Sequence, residues 1–306
     1  MPLPSLFTKA MLTHSQPIKN TPLPVSQPNG SQLYLKRTDL VHPTISGNKF
    51  YKLQYNLIEA RQQGFATLLT FGGAFSNHIA AVAAAGFELG FQTIGIIRGE
   101  ELRDKIQENP TLKLAQAQGM QLYFVSRTDY RHKTTPEFIE QLQQQFGKFY
   151  LIPEGGTNQL AIKGCEEILT EQDKQDFDYI CCAVGTGGTI AGIINSSHDQ
   201  QKVLGFPVLK GDFLANEIKQ WTTRNNWELC LNYHFGGYAK ATPDLLEFIQ
   251  IFQKKTSIEI EPIYTGKMLF GLFDLIEKGY FPANSRILAI HTGGLQGNLS
   301  SKFKRY

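Results

Sequence analysis

A lysine stands at the centre of the stretch Ser46-Gly47-Asn48-Lys49-Phe50-Tyr51-Lys52-Leu53. Small and apolar residues surround Lys49, and a lysine in such a setting loses hydration of its ammonium form, which lowers its pKa and leaves a nucleophilic amine. Because such an amine can bond to an aldehyde, Lys49 is a candidate anchor for pyridoxal phosphate. The alternative is an ordinary solvated lysine near a helix start, which is the commoner case for an isolated Asn-Lys pair.

The composition is that of a folded protein of modest charge. The 306 residues are 42% hydrophobic, which supplies a sizeable core and excludes wholesale disorder. A chain of this length favours two lobes over one domain. The formal net charge is +3, and the basic run at 302–305 is typical of a solvated chain end, so we expect no nucleic-acid partner.

Cysteine usage and the apolar runs predict a cytoplasmic protein. The N-terminus Met1-Pro2-Leu3-Pro4 lacks the basic and apolar regions of a signal peptide. Apolar runs are short and interrupted by Gly or Asn, so no membrane-spanning segment is expected. The cysteines have no metal-ligand spacing, so we expect reduced thiols and no metal site; they are Cys165, Cys181, Cys182 and Cys230.

Apolar strands alternate with helical segments along the chain, which predicts an α/β fold. Residues 1–30 are rich in proline and predict an extended arm over the surface or over a partner subunit. The predicted strands are 32–37, 67–71, 91–97, 121–125, 149–152, 179–183, 202–206, 228–231 and 286–290. The predicted helices are 48–63, 79–89, 112–118, 136–146, 159–170, one entered from the glycine-rich stretch 184–192, then 212–221, 243–253 and one that ends at 276.

Two glycine-rich turns each follow a predicted strand and lead into a predicted helix. The first spans 72–78 and ends in Ser76, Asn77 and His78, where free backbone N–H groups can hold an anion. Ser76 and Asn77 as plain helix caps are an equally good explanation. The second turn spans 185–189; it lacks both the dinucleotide-binding and the P-loop spacing, but its amides and threonine hydroxyls suit one phosphate monoester. A glycine turn required only by packing is the alternative there.

Three further segments follow predicted strands or precede predicted helices. Tyr238 and Tyr264 stand in such loops, although a single tyrosine is more often an ordinary half-buried aromatic. The stretch His291-Thr292-Gly293-Gly294 ends the last strand, and open α/β sheets place their ligands at the carboxyl ends of their strands.

Five motifs in this order, SGNK-x-x-KL, GGAFSNH, GTGGTIAG, EPIYTGK and HTGG, resemble the fold-type II pyridoxal-phosphate enzymes. The best match is the 1-aminocyclopropane-1-carboxylate (ACC) deaminase and D-cysteine desulfhydrase group, over roughly residues 30–300. The resemblance implies a two-lobed, tryptophan-synthase-β-like α/β fold with mostly parallel twisted sheets and helices on both faces. It implies a large cofactor-binding domain of residues 1–52 and 157–306, a small inserted domain of 53–156, pyridoxal 5'-phosphate in the cleft between them, and a homodimer.

Carried over residue by residue, the resemblance implies that Lys49 binds the cofactor covalently and moves the substrate proton. The implied catalytic residues are Lys49, Tyr264, Tyr238 and Ser76. The implied phosphate cup of the cofactor consists of Gly185, Thr186, Gly187, Gly188 and Thr189. Asn77 is implied at the phenolic oxygen of the cofactor and Thr292 at its pyridine nitrogen. The implied substrate contacts are Ser76, Asn77 and His78 on the carboxylate side, with Tyr238 and Tyr264 flanking the substrate.

Two positions depart from the family pattern. Tyr51 stands where an arginine is common, which affects a local salt bridge. The second departure is Thr265. The family pattern of the ACC deaminases has a glutamate at this position, which keeps the pyridine nitrogen protonated. Neutral hydroxyls cannot stabilise a pyridinium as a carboxylate does, so the expected reaction is β-elimination, most simply from D-cysteine to pyruvate, sulfide and ammonia. ACC deamination, a cofactor-binding protein without activity, and elimination from other D-amino acids with a β leaving group are the alternatives.

Overall fold

The computed structural model describes residues 12–24 and 29–299, which divide into two compact units. The smaller unit consists of residues 53–156 with 12–14, and the larger unit consists of residues 15–52 and 157–299. The predicted boundary placed residues 12–14 in the larger domain, whereas their Cα neighbours group them with the smaller unit. The roles of the two domains remain predictions.

Strands and helices alternate through the described residues. The strands are β1 (Asn20–Pro22), β2 (Gln32–Lys36), β3 (Thr67–Gly72), β4 (Gln92–Arg98), β5 (Gln121–Val125), β6 (Tyr150–Ile152), β7 (Tyr179–Val184), β8 (Lys202–Pro207), β9 (Trp227–Leu229) and β10 (Arg286–Ile290). The α-helices are α1 (Asn48–Gln62), α2 (Asn77–Leu89), α3 (Pro110–Ala117), α4 (Pro136–Phe146), α5 (Gln159–Glu166), α6 (Glu171–Asp176), α7 (Gly188–Ser196), α8 (Leu214–Lys219), α9 (Pro243–Thr256) and α10 (Thr265–Glu277).

The larger unit is built on one sheet with the strand order β1-β2-β10-β7-β8-β9. All neighbouring strands in it are parallel except β1 and β2. Helices α9 and α10 bury Phe252, Leu269 and Leu272 in the same apolar cluster as Phe206 and Ile287 of the sheet. Because β2, β10 and β7 are parallel neighbours, the segments that follow them leave from the same edge of the sheet, where α/β folds bind ligands.

The smaller unit has a fully parallel sheet with the strand order β5-β4-β3-β6. Its buried cluster includes Leu69, Ile94, Ile96 and Leu142. A tight turn joins β3 to α2: a Cβ on Gly72 would lie 2.5 Å from Cγ1 of Ile79. The turn therefore requires glycine so that α2 can pack directly on the strand it follows.

Each predicted strand and helix overlaps an observed one, and one predicted helix is divided. The segment predicted as a single helix over 159–170 ends at Glu166, and a second helix, α6, begins after Thr170. Thr170 Oγ1 accepts from the Asp173 N–H (3.2 Å), and the Asp173 carboxylate accepts from the Thr170 N–H (2.8 Å). This reciprocal cap satisfies the first amides of a new helix, which is why the chain restarts there.

The predicted proline-rich arm is partly a strand. Residues 20–22 form β1 and pair antiparallel with β2 of the same chain. Residues 1–11 and 25–28 of the predicted arm, and the basic run at 302–305, lie outside the described residues. Within residues 12–24 and 29–299, we find no helix of the length and apolarity needed to cross a membrane.

Candidate active site

Lys49 lies in the first turn of α1, next to the loop that follows β10. Gly47, which precedes the helix, has a φ of +64°, and a Cβ on it would lie 1.9 Å from the Thr292 carbonyl oxygen. The Asn48 N–H donates to that carbonyl at 3.3 Å. The glycine therefore lets the 291–294 loop contact the backbone that leads directly into Lys49.

The side chain of Asn48 links Lys49 to the start of α7. Lys49 Nζ donates to Asn48 Oδ1 at 3.0 Å, and Asn48 Nδ2 donates to Thr189 Oγ1 at 2.8 Å. Burial, followed by the positive charge of Lys52, lowers the pKa of Lys49 to about 7. A substantial fraction of the amine is thus neutral at physiological pH and able to act as a nucleophile or a base, as the sequence predicted for this residue.

Lys52 lies one turn further along α1, and its ammonium group reaches the glycine-rich turn 185–189. Its Nζ donates to Thr157 Oγ1 at 2.9 Å and to Thr186 Oγ1 at 3.4 Å, and these two hydroxyls lie 2.6 Å apart. A Cβ on Gly188 would lie 3.2 Å from the same Nζ. Lys52 has no role assigned from the sequence, although its spacing of three residues from Lys49 places both lysines on one side of the helix.

The start of α7 has the properties of a phosphate site. Gly187 is the cap residue, has a φ of +84°, and makes no side-chain cap hydrogen bond. The first amides of a helix favour an anion, and Lys52 with Thr157 and Thr186 adds a buried ammonium and two hydroxyls beside them. Burial lowers the pKa of Lys52, so a bound dianion would stabilise its charged form. These residues fit the phosphate group of pyridoxal phosphate.

Tyr264 and Tyr238 come together beside the same turn. The two rings meet edge to face, with centroids 6.1 Å apart and planes at 70°. A Cβ on Gly185 would lie 3.1 Å from Cε1 of Tyr264, so glycine is needed for this approach. Tyr264 is partly buried, whereas Tyr238 is 42% exposed.

A buried carboxylate, which no sequence motif indicated, organises the turn that carries Tyr264. Glu261 is fully buried, and its carboxylate oxygens accept from the N–H groups of Ile263 (2.7 Å), Tyr264 (2.9 Å) and Thr265 (2.7 Å). Burial raises the pKa of Glu261 to about 7 despite these bonds. Glu261 therefore caps α10 and fixes the backbone of Tyr264.

The hydroxyls of Thr265 and Thr292 form a second buried group at the start of α10. Their Oγ1 atoms lie 3.4 Å apart, and both side chains are buried. His291, next to Thr292, is fully buried and accepts from the Gly293 N–H through Nδ1 (3.2 Å), while its Nε2 lies 2.8 Å from the Glu259 carbonyl oxygen. Burial lowers the pKa of His291, so a neutral ring that donates from Nε2 holds the Thr292 loop in place.

The other predicted site residues, Ser76, Asn77 and His78, belong to the smaller unit. Ser76 is the cap of α2, and its Oγ accepts from the Ile79 N–H at 3.3 Å. Thr70 Oγ1 donates to the Ile152 carbonyl oxygen (2.8 Å), so it accepts from His78 Nε2–H (2.9 Å). Ser76 therefore caps α2, which is the alternative role for this residue. His78 contacts Thr70 of β3.

Tyr51, the residue that departs from the family pattern, is buried and packs edge to face on Phe50 at 5.5 Å. Burial raises the pKa of its hydroxyl far above the usual range, so this position carries no charge. In the described part of the chain, no group of three or more His, Cys, Asp and Glu side chains is arranged to hold a metal ion.

The sequence matches the family described as "Pyridoxal-phosphate dependent enzyme" over residues 14–293. The chain belongs to this family. Membership confirms the expected cofactor and the expectation that the protein is an enzyme, because these enzymes use pyridoxal phosphate. The resemblance to the ACC deaminase and D-cysteine desulfhydrase group is confirmed by individual relatives.

The relatives of this pyridoxal-phosphate enzyme match it along most of their length. A protein of Pyrococcus abyssi named "Putative 1-aminocyclopropane-1-carboxylate deaminase" is 32% identical over 89% of this chain and 87% of its own. A mitochondrial protein of Arabidopsis thaliana named "Bifunctional D-cysteine desulfhydrase/1-aminocyclopropane-1-carboxylate deaminase" is 33% identical over 97% of this chain and 80% of its own.

Two solved structures share the fold of this chain. A crystal structure of an ACC deaminase homologue has a TM-score of 0.80 and 29% identity, and the match covers 96% of this chain and 95% of that one. O-ureido-L-serine synthase is only 15% identical and matches in fold alone, with a TM-score of 0.66 over 94% of this chain and 92% of that one. The predicted fold-type II class is confirmed.

Proposed function

We propose that this enzyme catalyses β-elimination of D-cysteine to pyruvate, sulfide and ammonia. The observation that carries the proposal is the buried pair of neutral hydroxyls, Thr265 and Thr292. A carboxylate beside the pyridine nitrogen would keep that nitrogen protonated, whereas a hydroxyl cannot. The weaker electron withdrawal that results is sufficient when a thiolate leaves but not when an unactivated cyclopropane ring must open.

In this proposal the larger unit binds the cofactor through residues from three segments. Lys49 binds it covalently, the 185–189 turn and Lys52 hold its phosphate, and Thr292 partners its ring nitrogen. When bound, pyridoxal phosphate accepts the electron pair that proton removal leaves at the substrate Cα. The roles that the resemblance implies for Ser76, Asn77 and His78 are retained here as predictions.

Once the substrate amine takes the place of Lys49 on the cofactor, the freed amine of Lys49 moves the substrate proton. With a pKa of about 7, its Nζ is matched to the pH at which it would accept the proton from Cα. We expect Tyr264 to assist, and the approach of its ring to Gly185 and the hold of Glu261 on its backbone support this role. The C–S bond then breaks with both electrons on sulfur, and one water molecule completes the conversion to pyruvate and ammonia.

Sulfide release tests the proposal directly. The cofactor-loaded protein is incubated with D-cysteine, with L-cysteine and ACC run beside it, and sulfide and ammonia are measured. We expect sulfide from D-cysteine and little from L-cysteine, because a base that approaches one face of the substrate removes the proton of one enantiomer. Sulfide from L-cysteine alone, or silence with both cysteines, would overturn the proposal.

ACC deamination is the second candidate, since the relatives from Pyrococcus abyssi and Arabidopsis thaliana both carry that activity in their names. A Thr265→Glu variant tests the electronic argument, because it supplies the carboxylate. We expect the variant to gain 2-oxobutyrate formation from ACC and to lose sulfide release. Measurable ACC turnover that is equal in the wild type and in Thr265→Glu would favour deamination. A bound cofactor without turnover of any amino acid would favour a binding protein. Cytoplasmic location and a homodimer remain predictions.

A further inference from the structure

The segment 234–240, here named the tyrosine loop, carries Tyr238 in an unusual backbone conformation. It connects the short turn Leu231–Tyr233 to α9. Phe235 and Ala239 have φ values of 51° and 53°, and Gly236 and Gly237 have φ values of 84° and 114°. Residues with a Cβ disfavour this left-handed region, so the surroundings must hold the loop in its shape.

The side chain of Lys267 contacts the tyrosine loop from inside the protein. Its Nζ donates to the His234 carbonyl oxygen at 2.8 Å and to the Gly237 carbonyl oxygen at 2.7 Å, which are the two ends of one turn. The Gly237 N–H closes the same turn by donating to the His234 carbonyl oxygen at 2.9 Å. One ammonium group therefore binds both ends of the segment that leads directly into Tyr238.

Lys267 is rigidly placed, because it belongs to the first turn of α10 and is fully buried. One turn later, Phe270 packs edge to face on Phe235 of the loop, with centroids 5.0 Å apart. The charge of Lys267 favours the ionised form of Glu261, which is buried at the start of the same helix, although burial of Glu261 outweighs this effect. Since α10 begins directly after Tyr264, the helix that carries Lys267 places both tyrosines.

We propose that Lys267 is a positioning residue, a buried latch that holds the tyrosine loop so that the Tyr238 ring lies against Tyr264. The proposal rests on the proposed function for the part that Tyr238 plays with the substrate. The latch itself is a property of the loop and is measured without a substrate. Lys267 acts only through Tyr238 and touches no reacting atom.

Hydrogen exchange of the cofactor-loaded enzyme tests the latch. In Lys267→Met, which keeps the length of the side chain and removes the ammonium, we expect the amides of Gly237 and Lys240 to exchange at least about tenfold faster. Lys278→Met is the matched control, since Lys278 lies at the exposed end of the same helix and pairs with Asp274. Unchanged exchange of the loop in Lys267→Met would overturn the proposal.

Two further measurements apply if Lys267→Met does not fold. Lys267→Gln retains a neutral donor that is easier to bury, and we expect it to show the same faster exchange of the loop. In the wild-type enzyme, the loop amides of Gly237 and Lys240 should be protected although Tyr238 is exposed, because each is hydrogen-bonded within the loop. Full exchange of both within seconds would show that the loop is not held, and would overturn the proposal.

Activity measurements separate positioning from general damage. We expect Lys267→Met to raise KM about tenfold with little change in kcat and with unchanged absorbance of the bound cofactor. If Lys267 acts through Tyr238, the double variant Lys267→Met/Tyr238→Ala is no worse than Tyr238→Ala alone. Additive losses would overturn the proposal. Absence of sulfide release by the wild-type enzyme would instead reject the proposed function, while the exchange experiment would still decide on the latch.

Discussion

Two helix starts in the larger unit, those of α7 and α10, satisfy their first amides in opposite ways. At α10, the carboxylate of Glu261 accepts from three successive N–H groups, so the chain supplies its own anion. At α7, Gly187 makes no side-chain cap, and the positive group of Lys52 lies beside it with two hydroxyls. A helix start with an internal anion is a fixed scaffold, whereas one with added positive charge suits an anionic ligand.

Lys49, Lys52 and the 185–189 turn are here named the cationic site, and Glu261 with the start of α10 is named the anionic site. Burial shifts pKa values in opposite directions at these two sites. Burial disfavours the charged form of any group, so it lowers the pKa of Lys49 and Lys52 and raises that of Glu261. The cationic site thereby obtains a neutral, reactive amine. The anionic site obtains a capping group that holds the Tyr264 backbone. Substitution of Lys49, Glu261, Lys52 or Thr157 removes one element of this contrast.

The largest effect is expected at the reactive amine of the cationic site. Lys49→Ala removes both the covalent link to the cofactor and the base, so turnover should fall below detection and the visible absorbance of the bound cofactor should change. Amino-acid turnover and the cofactor spectrum are measured together. Lys219→Met, at an exposed position of α8, is the control and should retain both. Near-wild-type turnover in Lys49→Ala would refute the assignment of Lys49.

The anionic site is tested by Glu261→Gln, through the pH dependence of stability. The folded pKa of Glu261 is about 7 and the unfolded value is near 4.5, so the folded state holds the proton more tightly. Its contribution to the free energy of unfolding is therefore complete below about pH 4.5 and is lost as the pH rises through 7, by about 3 kcal/mol. Urea unfolding at several pH values should show this slope in the wild type and not in the variant.

Glu277→Gln provides the comparison for that experiment, because Glu277 is exposed at the other end of α10. It should retain the wild-type slope. The same loss of slope in both variants would mean that Glu261 is not its source. Removal of the Glu261 charge should also lower the pKa of Lys49 further, since that charge raises it.

The phosphate part of the cationic site is tested by Lys52→Met. Loss of one charged hydrogen-bond donor should weaken cofactor binding about tenfold to hundredfold. Because the Lys52 charge lowers the pKa of Lys49, the variant should raise that pKa, opposite to the effect of Glu261→Gln. Titration of the apoprotein with pyridoxal phosphate gives the affinity, and the rate of reconstitution as a function of pH gives the shift. Equal affinity in variant and wild type would contradict a phosphate role for Lys52.

The smallest effect is expected from Thr157→Val, which preserves shape and removes one hydroxyl beside Lys52. We expect cofactor affinity to fall about fivefold, as for a single neutral hydrogen bond, with no shift in the pKa of Lys49. The exposed Thr134 provides a matched Thr→Val control. A loss as large as that of Lys52→Met would indicate that the hydroxyl, and not the ammonium, holds the phosphate.

Local patterns were sufficient to predict most elements of the fold and part of the site. Strands such as 121–125 and 286–290 were predicted to the residue, because apolar runs bounded by turn residues need no tertiary information. The division of the predicted helix 159–170 was missed, because the cap formed by Thr170 and Asp173 stands inside a continuous helical pattern. Lys36 Nζ also donates to Asp173 Oδ2 at 2.5 Å, and this partner lies 137 residues away in sequence, where no local pattern could indicate it.

The sequence by itself determined the fold class and the cofactor, because the five ordered motifs resemble those of one enzyme family, and it singled out Lys49 and the 185–189 turn as candidate site residues. Only the tertiary structure decided what Lys52, Glu261 and Lys267 contact. Each is a charged side chain of an ordinary kind, and its role depends on burial and on partners such as the carbonyl of His234, 33 residues from Lys267. Desolvation and hydrogen bonding to distant groups arise only when the chain is folded, so no local pattern could assign these roles.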